Sequence, residues 1–469
     1  MRLRPLALAL LAAGLALPAS AADLMQAYEL ARKGDPQLAA AEARAAAAQA
    51  AVSQTRAALL PQISGQASLT DSEGDSTSIG TQPDPVNPGE VIFGEAAGSS
   101  DTRNRSIGIN LRQTIYDRAD YTRLSASKAQ AAQAEAQRLA AEQGLGVRVA
   151  RAYFDVLTAI ESLASARAQE SAAKRQLDQA ETRLEVGLAP ITDVHEARAS
   201  FDGARANAIT SATRLDDARE ALTEITGEPL ASLRGLGADY QPKLDDTDGL
   251  QSWVDRALGG NPSLQAATMA LDAAEANVST ARAGHLPTLD LTGGYNDSAT
   301  WGSRSNGAFS FPATGASDGT NVGITLTVPI FSGGAIQAGV RQALANRDAV
   351  SEQLEQERRS VTRQTRNAYR SLASGAAEVE ARRLAVVSAK AALEAGEAGL
   401  EVGTRTVVDV LLAQQTLFAA QTQFAQARHN FLVNELSLKQ AAGSLSPADI
   451  ETVNRLLNAD AEALLDATK

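Results

Sequence analysis

Apolar residues recur every seven positions over long stretches of this chain. In the second half the series stops at a short glycine-containing turn and then resumes; its members are Leu372, Val379, Val386, Leu393, Leu400, Val410, Leu417, Phe424, Phe431 and Leu438. A strict seven-residue spacing keeps one apolar face toward a neighbouring helix only if the helices supercoil with a left hand. Because the turn is short, the two helical segments must form an antiparallel hairpin. We therefore expect long coiled-coil hairpins.

The first half of the sequence repeats the same plan. Its series, with one polar break, is Val156, Leu163, Glu170, Leu177, Leu184, Val194, Phe201, Ala208, Leu215 and Leu222. Gly34-Asp35-Pro36-Gln37-Leu38 also returns as Gly260-Asn261-Pro262-Ser263-Leu264, and Leu184-Glu185-Val186-Gly187 returns as Leu400-Glu401-Val402-Gly403. A repeat this long indicates a duplicated unit and not a solenoid, whose periods are about 20–50 residues. Gly144 and Gly146 make an uninterrupted helix over 118–186 doubtful, and two stacked helices are plausible there.

Two segments in each half alternate apolar and polar residues, beginning near Ile63, Ile107, Leu289 and Val322. Each has about 9–11 residues, enough for a tilted strand to cross an outer membrane. The stretches between them, 71–105 and 297–320, are rich in Gly, Ser, Asp, Asn and Pro and predict long polar loops. Soluble hairpins with one wetted face would produce the same alternation, so the strands alone leave both interpretations open.

Four strands cannot close a membrane barrel, and open sheet edges are not tolerated in lipid. Membrane-spanning strands would therefore have to be pooled with those of other copies of the chain. Two copies give eight strands, a barrel that its own side chains nearly fill, whereas three give twelve and leave a lumen. A trimer is the smallest assembly that makes a duct.

The N-terminus has the pattern of a secretory signal peptide. Arg2 and Arg4 precede an apolar run over 6–17, and the small residues at 19–22 predict cleavage after Ala21 or Ala22. No later segment has about 20 uninterrupted apolar residues, so we expect an exported chain without a membrane-spanning helix. The net charge of −12 argues against a nucleic-acid partner, and the absence of cysteine excludes disulfides and thiolate chemistry.

No group of residues predicts catalysis, a bound metal or a cofactor. The Gly315-Ala316-Ser317-Asp318-Gly319 string fits the hydrolase nucleophile pattern, but it lies in a turn-rich stretch without a strand-to-helix elbow. His195, His285 and His429 lack metal-ligand spacing. Glycine-rich nucleotide-binding signatures are also missing. The chain is not expected to be an enzyme.

Several extended strings resemble the TolC family of outer-membrane efflux proteins, and the resemblance covers nearly the whole mature chain. They are Asp23-Leu24-Met25-Gln26, Arg175-Gln176-Leu177-Asp178-Gln179, Ile191-Thr192-Asp193-Val194, His285-Leu286-Pro287-Thr288-Leu289-Asp290-Leu291 and Gly403-Thr404-Arg405-Thr406-Val407-Val408-Asp409-Val410. The resemblance implies a mixed α+β membrane protein: a homotrimer with a twelve-stranded β-barrel, four transmembrane strands coming from each chain, and a long periplasmic α-barrel of coiled-coil helices. It also implies a passive exit duct for drugs or secreted proteins, which docks on an inner-membrane pump through a periplasmic adaptor, as in tripartite efflux pumps and type I secretion.

The resemblance also suggests how the chain is divided. After a signal peptide over 1–22, a first structural repeat covers 23–226 and a second covers 261–442. A mixed belt around the middle of the helices, the equatorial belt, is assigned to the linker 227–260 and to the C-terminal segment 443–469.

The hairpin tips carry the candidate functional residues. From the residues alone, Asp193 and Asp409 open helices, where the positive end of the helix dipole favours a carboxylate, and Arg405 is a solvated turn residue. The resemblance instead implies that Thr192, Asp193 and Arg405 hold neighbouring coiled coils together at a closed periplasmic gate, and that Asp409 lines a cation-favouring constriction. Gly187 and Gly403 would then be the tips that meet the adaptor.

This sequence departs from the family pattern at two gate positions. Leu400 stands where the family has a latching tyrosine, and Leu412 stands where it has a second aspartate. We therefore expect a looser gate and a weaker block by polyvalent cations.

Two other functions are compatible with the residues. A periplasmic coiled-coil adaptor or scaffold would need the alternating segments to be soluble hairpins. A stand-alone outer-membrane porin or receptor would work without a pump.

Overall fold

The structure is a computed structural model that describes residues 22–188, 190–230, 232–237, 240–243, 249–306 and 309–466. Almost all of the predicted signal peptide lies outside these residues. The chain forms two compact units. The helical unit contains the described residues of 22–46, 133–268 and 352–466, and the sheet unit contains 47–132 and 269–351.

Both halves begin with two helices, continue with long strands and end in a pair of long helices, and the second half adds the short β5, α9 and α10. The helices are α1 (Leu24–Gly34), α2 (Pro36–Ala57), α3 (Arg118–Glu185), α4 (Ile191–Thr226), α5 (Gly249–Gly260), α6 (Pro262–Ala283), α7 (Ala335–Glu401), α8 (Val407–Ala441), α9 (Pro447–Asn454) and α10 (Ala463–Asp466). The strands are β1 (Gln62–Pro83), β2 (Val91–Tyr116), β3 (Arg234–Leu236), β4 (Thr288–Asn306), β5 (Phe309–Pro312), β6 (Gly315–Thr327) and β7 (Leu457–Asp460). Helix gives way to strand at Leu60-Pro61 and at Leu286-Pro287, because α2 and α6 end just before these pairs and β1 and β4 begin just after them.

The seven-residue series is the contact line between paired helices of the helical unit. Near one tip, Leu177 of α3 and Val194 of α4 are buried in one apolar cluster, with Leu184 and Phe201 packed against it. The second hairpin repeats this arrangement, since Leu417 of α8 is buried with Ala389 and Ala420, with partly buried Val386 and Leu393 against them. The predicted antiparallel hairpins are confirmed. Their contact line is narrow because alanine fills many of the positions.

Helix α3 continues without a break through Gly144 and Gly146, so the two stacked helices that these glycines suggested are one helix. A Cβ atom at Gly146 would come within 3.0 Å of Ile450 Cδ1 and 3.4 Å of Leu445 Cδ2. The glycine therefore makes room for the C-terminal segment to pack against the helix. A glycine lowers helix stability by only about 1 kcal/mol relative to alanine, which tertiary packing readily offsets.

The duplicated Gly-Asp-Pro and Gly-Asn-Pro strings start equivalent helices. Asp35 Oδ1 accepts the backbone N–H of Leu38 at 2.8 Å, and Asn261 Oδ1 accepts that of Leu264 at 3.2 Å. A side-chain acceptor before the first turn, followed by proline at the first helical position, is a strong helix start. The predicted internal duplication therefore extends to the capping hydrogen bonds.

The sheet unit is a long antiparallel sheet in which β2 pairs with β1 and β4, and β4 pairs with β2 and β6. The β1–β2 ladder continues from Gln62↔Arg112 to Pro83↔Val91. The prediction of long polar loops over 71–105 and 297–320 is therefore wrong, because strands occupy most of both stretches. Backbone ladders do not require apolar side chains, so polar composition indicated where the strands meet water and not where they end.

A small mixed region packs on the middle of α3 in the helical unit. Strand β3 pairs with β7, and the hydroxyl of Tyr153 donates to the backbone oxygens of Ala22 at 3.0 Å and Arg234 at 2.7 Å. Tyr153 is fully buried, so these hydrogen bonds satisfy its polar end inside the core. They tie the N-terminal segment and β3 to the long helix.

The C-terminal segment turns sharply after α8 at Gly443, whose φ of +72° lies in the left-handed region. A Cβ atom there would come within 2.3 Å of the backbone oxygen of Gly260.

We expect Gly443→Ala to lower the free energy of unfolding by about 2–4 kcal/mol, because it adds backbone strain to overpacking. Gly203→Ala is the matched control, because Gly203 lies inside α4 and a Cβ atom added there would meet nothing within 4 Å. Thermal unfolding in detergent measures both, and equal midpoints would contradict the prediction.

Asp449 joins α9 to the end of α8. Its carboxylate accepts hydrogen bonds from the backbone N–H of Ser446 at 2.8 Å, the Ser446 hydroxyl at 2.7 Å and Lys439 Nζ at 3.0 Å. Burial alone would raise the pKa of Asp449, but these hydrogen bonds outweigh it and lower the pKa. The ionised form is therefore stabilised in the folded state.

We expect Asp449→Asn to lower the free energy of unfolding by about 2 kcal/mol at pH 7, because a charge-assisted hydrogen bond is lost. A depressed folded-state pKa contributes stability above the unfolded value of about 3.9, and this contribution is lost as the pH falls through the folded value. The difference between wild type and variant should therefore be constant from about pH 5 to 7 and shrink below about pH 4. Denaturant unfolding at several pH values measures it. The control is Glu451→Gln on the same helix, which removes only an exposed ion pair with Arg455 and should lower the free energy of unfolding by less than about 1 kcal/mol.

Candidate functional site

The two helical hairpins end in turns of the same construction. At the first tip the N–H of Gly187 donates to the Leu184 oxygen at 3.0 Å and that of Leu188 to the Arg183 oxygen at 2.7 Å. At the second tip Gly403 donates to Leu400 at 3.2 Å, and Thr404 donates to Gly399 at 2.8 Å. This pair of bonds, with a glycine in the left-handed region, closes the end of a helix. Gly187 and Gly403, with φ of +73° and +77°, are therefore required by the turns themselves.

Asp409 belongs to a capping box at the start of α8. Its Oδ2 accepts the backbone N–H and the hydroxyl of Thr406, both at 2.9 Å, while its own N–H donates to the Thr406 hydroxyl at 3.2 Å. The backbone hydrogen bond from Thr406, followed by the hydroxyl bond and the charge of Arg405, lowers the pKa of Asp409. The interpretation of Asp409 as a residue that opens a helix is therefore supported, and its carboxylate is held in the ionised form on an exposed tip.

The first tip lacks this capping. Proline occupies the position equivalent to Thr406, and Pro190 makes no side-chain cap to α4. Asp193 is at the same place in the first turn as Asp409, where the helix dipole favours a carboxylate. Thr192 is exposed and Asp193 is half-buried. Proline has no backbone N–H and no side-chain hydroxyl, so the carboxylate of Asp193 forms no capping box at the start of α4.

Arg405 lies in the turn before α8, with its backbone N–H donating to the Gly399 oxygen at 3.2 Å. Its side chain covers Gly399, since a Cβ atom there would come within 2.7 Å of Arg405 Cγ. Among the residues described, no hydrogen bond or ion pair joins Thr192 or Asp193 to Arg405 or Asp409. Within one chain the structure therefore brings together Arg405, Thr406 and Asp409, but not the residues of the two tips.

Exposed apolar side chains surround both turns, a group that was not predicted from the sequence. They are Val186, Leu188, Ile191, Val402, Val408 and Leu412, whose exposed fractions are between 38% and 76%. Neighbouring apolar residues left in water at one end of a structure are typical of a contact surface. Their signal in the sequence is that they flank the turn glycines but fall outside the seven-residue series.

The residues considered for catalysis are part of ordinary structure. Ser317 lies on β6, where its hydroxyl is 2.9 Å from the hydroxyl of Ser298 on β4. His429 is buried, with Nδ1 2.8 Å from the Thr158 hydroxyl and its ring stacked on Phe154. His195 and His285 are exposed. In the described part of the chain, no three metal-binding side chains come together, and no helix is long and apolar enough to cross a membrane.

Duplicated helical hairpins and a long antiparallel sheet agree with comparisons to known proteins. Residues 27–228 and 253–444 match the family described as "Outer membrane efflux protein". Outer membrane protein TolC of Vibrio cholerae is 37% identical over 434 residues, which cover 92% of this chain and 93% of that protein. The alkaline protease secretion protein AprF of Pseudomonas aeruginosa is 30% identical, covering 93% of this chain and 87% of that protein.

Solved structures show the same fold. The outer membrane channel CmeC of Campylobacter jejuni superposes with a TM-score of 0.72 at 21% identity, covering 93% of this chain and 90% of that one. The fold and these matches define a channel of the outer membrane that serves efflux or secretion and is not an enzyme. The chain belongs to the TolC family of outer membrane efflux proteins, whose members work with efflux pumps or type I secretion systems. It is located in the outer membrane and extends into the periplasm.

Proposed function

We propose that three copies of this chain form a passive duct whose periplasmic end is closed by the hairpin tips and opened by an adaptor protein. The strands of the sheet unit lie in the outer membrane, and the helical unit lies in the periplasm. The pump in the inner membrane supplies the energy. The equatorial belt comprises 227–260 and 443–469, between the structural repeats 23–226 and 261–442, and the signal peptide 1–22 is removed on export.

The edges of the sheet support the trimer. In the described residues, β1 pairs only with β2, and β6 pairs only with β4. Each copy therefore offers two long edges whose backbone groups need partners, which lipid cannot provide. Four long strands from each of three copies make a closed barrel of twelve.

The side chains of the sheet support a position in the membrane. Val322, Ile324 and Leu326 are on one face of β6 and are 82%, 66% and 63% exposed. Gly323, Thr325 and Thr327 occupy the other face, and β6 is exposed along nearly its whole length. A sheet that is bare on both faces, apolar on one and polar on the other, suits lipid outside and a wet lumen inside.

The gate is assigned to Thr192, Asp193, Arg405 and Asp409. Asp409 is ionised and exposed, so three copies would place a ring of carboxylates around the axis. Asp193 is free of a local cap, so it can accept an ion pair from Arg405 of a neighbouring hairpin. Leu400 and Leu412 provide neither a hydroxyl nor a second carboxylate. Such a gate is looser, and polyvalent cations block it weakly.

The docking site for the adaptor is assigned to Gly187 and Gly403 together with the exposed apolar residues around them. A turn without a side chain at its apex lets a partner approach the backbone closely. The apolar residues then supply the area that becomes buried on docking.

We expect Arg405→Ala to increase single-channel conductance in planar bilayers, because the latch between hairpins is lost. The control is Arg383→Ala, since Arg383 is an exposed arginine of α7 that pairs with Glu380 of its own helix. Unchanged conductance in Arg405→Ala would remove Arg405 from the gate.

We expect Gly403→Trp to abolish export while the trimer stays intact, because the bulky side chain blocks the tip. Gly403→Asn is the matched control, since asparagine tolerates the left-handed backbone, and it should retain export. Export of a drug or a secreted protein is compared with the amount of trimer on native gels. Full export by Gly403→Trp would show that this tip is not where the adaptor docks.

A further inference from the structure

Helix α7 carries a row of exposed arginines that form no ion pair with the described residues of their own chain. Arg363, Arg366 and Arg370 are exposed and follow one another at intervals of three and four residues. The ion pairs of α7 among the described residues include Arg359 with Glu355 and Arg382 with Glu378, but none includes these three arginines. Residues at such intervals lie on one face of a helix, where like charges repel one another. We name this row the basic stripe.

Helix α4 carries a matching row of carboxylates. Asp217, Glu220 and Glu224 are exposed at intervals of three and four residues. In the described part of the chain, the ion pairs of α4 are Arg198 with Glu181 and Arg219 with Glu462, so the three carboxylates have no cation partner. We name this row the acidic stripe.

Both stripes lie on the sides of their helices that face away from the rest of the chain. On α7, the buried residues nearest the basic stripe are Val361, Thr365 and Leu372. At about 100° per residue the arginines lie on the opposite face from them. On α4 the acidic stripe is likewise opposite the buried Leu215 and Leu222. Among the described residues, nothing covers either stripe, so each is open to a second molecule.

The stripes are also at similar levels along the helices. Arg370 precedes the turn glycine Gly403 by as many residues as Glu220 follows Gly187, and the same holds for Arg366 and Glu224. Thr158 of α3 and His429 of α8 are separated from the turn glycines of their hairpins by nearly equal numbers of residues. Because Thr158 and His429 are 2.8 Å apart, the two tips lie within about one helical turn of the same level along the helices. Rotation about an axis parallel to the helices does not change these levels, so a ring of copies brings the stripes side by side.

We propose that the basic stripe of one copy docks on the acidic stripe of the next copy. This inference rests on the proposed ring of three and identifies which faces meet. The contact is head-to-tail, and it also excludes the alternative two-fold dimer, in which α7 would face α7 or α4 would face α4 with like charges opposed. The stripes thus select a ring, and they fix the register of neighbouring copies.

Cross-linking tests the contact directly, because the chain has no cysteine of its own. A chain carrying both Arg366→Cys and Glu224→Cys is expressed in cells, and its outer membranes are treated with a short bis-maleimide. We expect a ladder up to covalent trimer on denaturing gels. Either substitution alone should give no ladder, because the contact joins two different faces.

The matched control pairs Glu224→Cys with Glu394→Cys. Glu394 is exposed on α7 and occupies the same heptad position as Arg366, four heptads nearer the tip. At about 1.5 Å per residue this moves the thiol by about 42 Å. The yield of covalent trimer should be at least tenfold lower than for the Arg366→Cys pair.

Charge reversal provides the second measurement. Arg366→Glu with Arg370→Glu, or Glu220→Arg with Glu224→Arg, should lower the temperature at which the trimer dissociates in detergent. All four substitutions together should restore it, because the opposite charges meet again.

Three outcomes would overturn the proposal. The first is an intact trimer that gives no more cross-linked product than the control. The second is a variant with all four charge reversals whose trimer is no more stable than that of either double variant. The third is charge reversal that changes only the ion selectivity of the pore, which would place the stripe in the duct. Complete failure to form trimers, in wild type as well, would overturn the proposed function itself.

Discussion

Toward their tips, the antiparallel helices of the helical unit are held together by a thin line of apolar contact, whereas a larger apolar core lies around Tyr153 of α3 and Leu432 of α8. Over its 67 residues, α7 buries only Val361, Thr365, Leu372, Gly375, Val379 and Ala389. Small residues in this line let the helices approach closely, but they remove little apolar area from water. Because burial contributes only about 25 cal/mol per Å² of apolar surface, the free energy gained along this line is small. Such a hairpin is weakly held by itself. The remaining faces of its helices are free to be covered by other copies, which is what an assembly of long parallel rods requires.

The strands of the sheet unit likewise bury few of their side chains within their own chain. Its strands make continuous ladders, yet apolar residues such as Ile63, Leu69 and Val322 are at least 70% exposed. Hydrogen bonds between strands satisfy the backbone but give the side chains nothing to pack against. The stability of this unit must therefore come from lipid on one face and from closure with other strands at the edges.

Duplication supplied two similar hairpins, and small differences separate their tips. Both turns close with the same two hydrogen bonds, and both helices that follow have an aspartate in the first turn. Thr406 engages Asp409 in a capping box, whereas Pro190 leaves Asp193 without one. The two carboxylates are thus equivalent in sequence but not in availability. This asymmetry suits the proposed gate, in which Asp409 lines the opening while Asp193 forms a contact that can break.

The sequence by itself determined the hairpins, the duplication and the number of long strands, because all three are periodic patterns that local geometry translates directly into structure. The seven-residue series located the buried contact line between the paired helices. It also located the tips, since glycine was required at both turns. What only the tertiary structure decided depends on contacts between distant residues. The strands continue through polar stretches because their partners continue too, and α3 passes through Gly146 because Ile450 packs there. Which tip carboxylate is capped, and which arginines and carboxylates find no partner among the described residues, likewise depended on what each side chain reaches once the helices are paired.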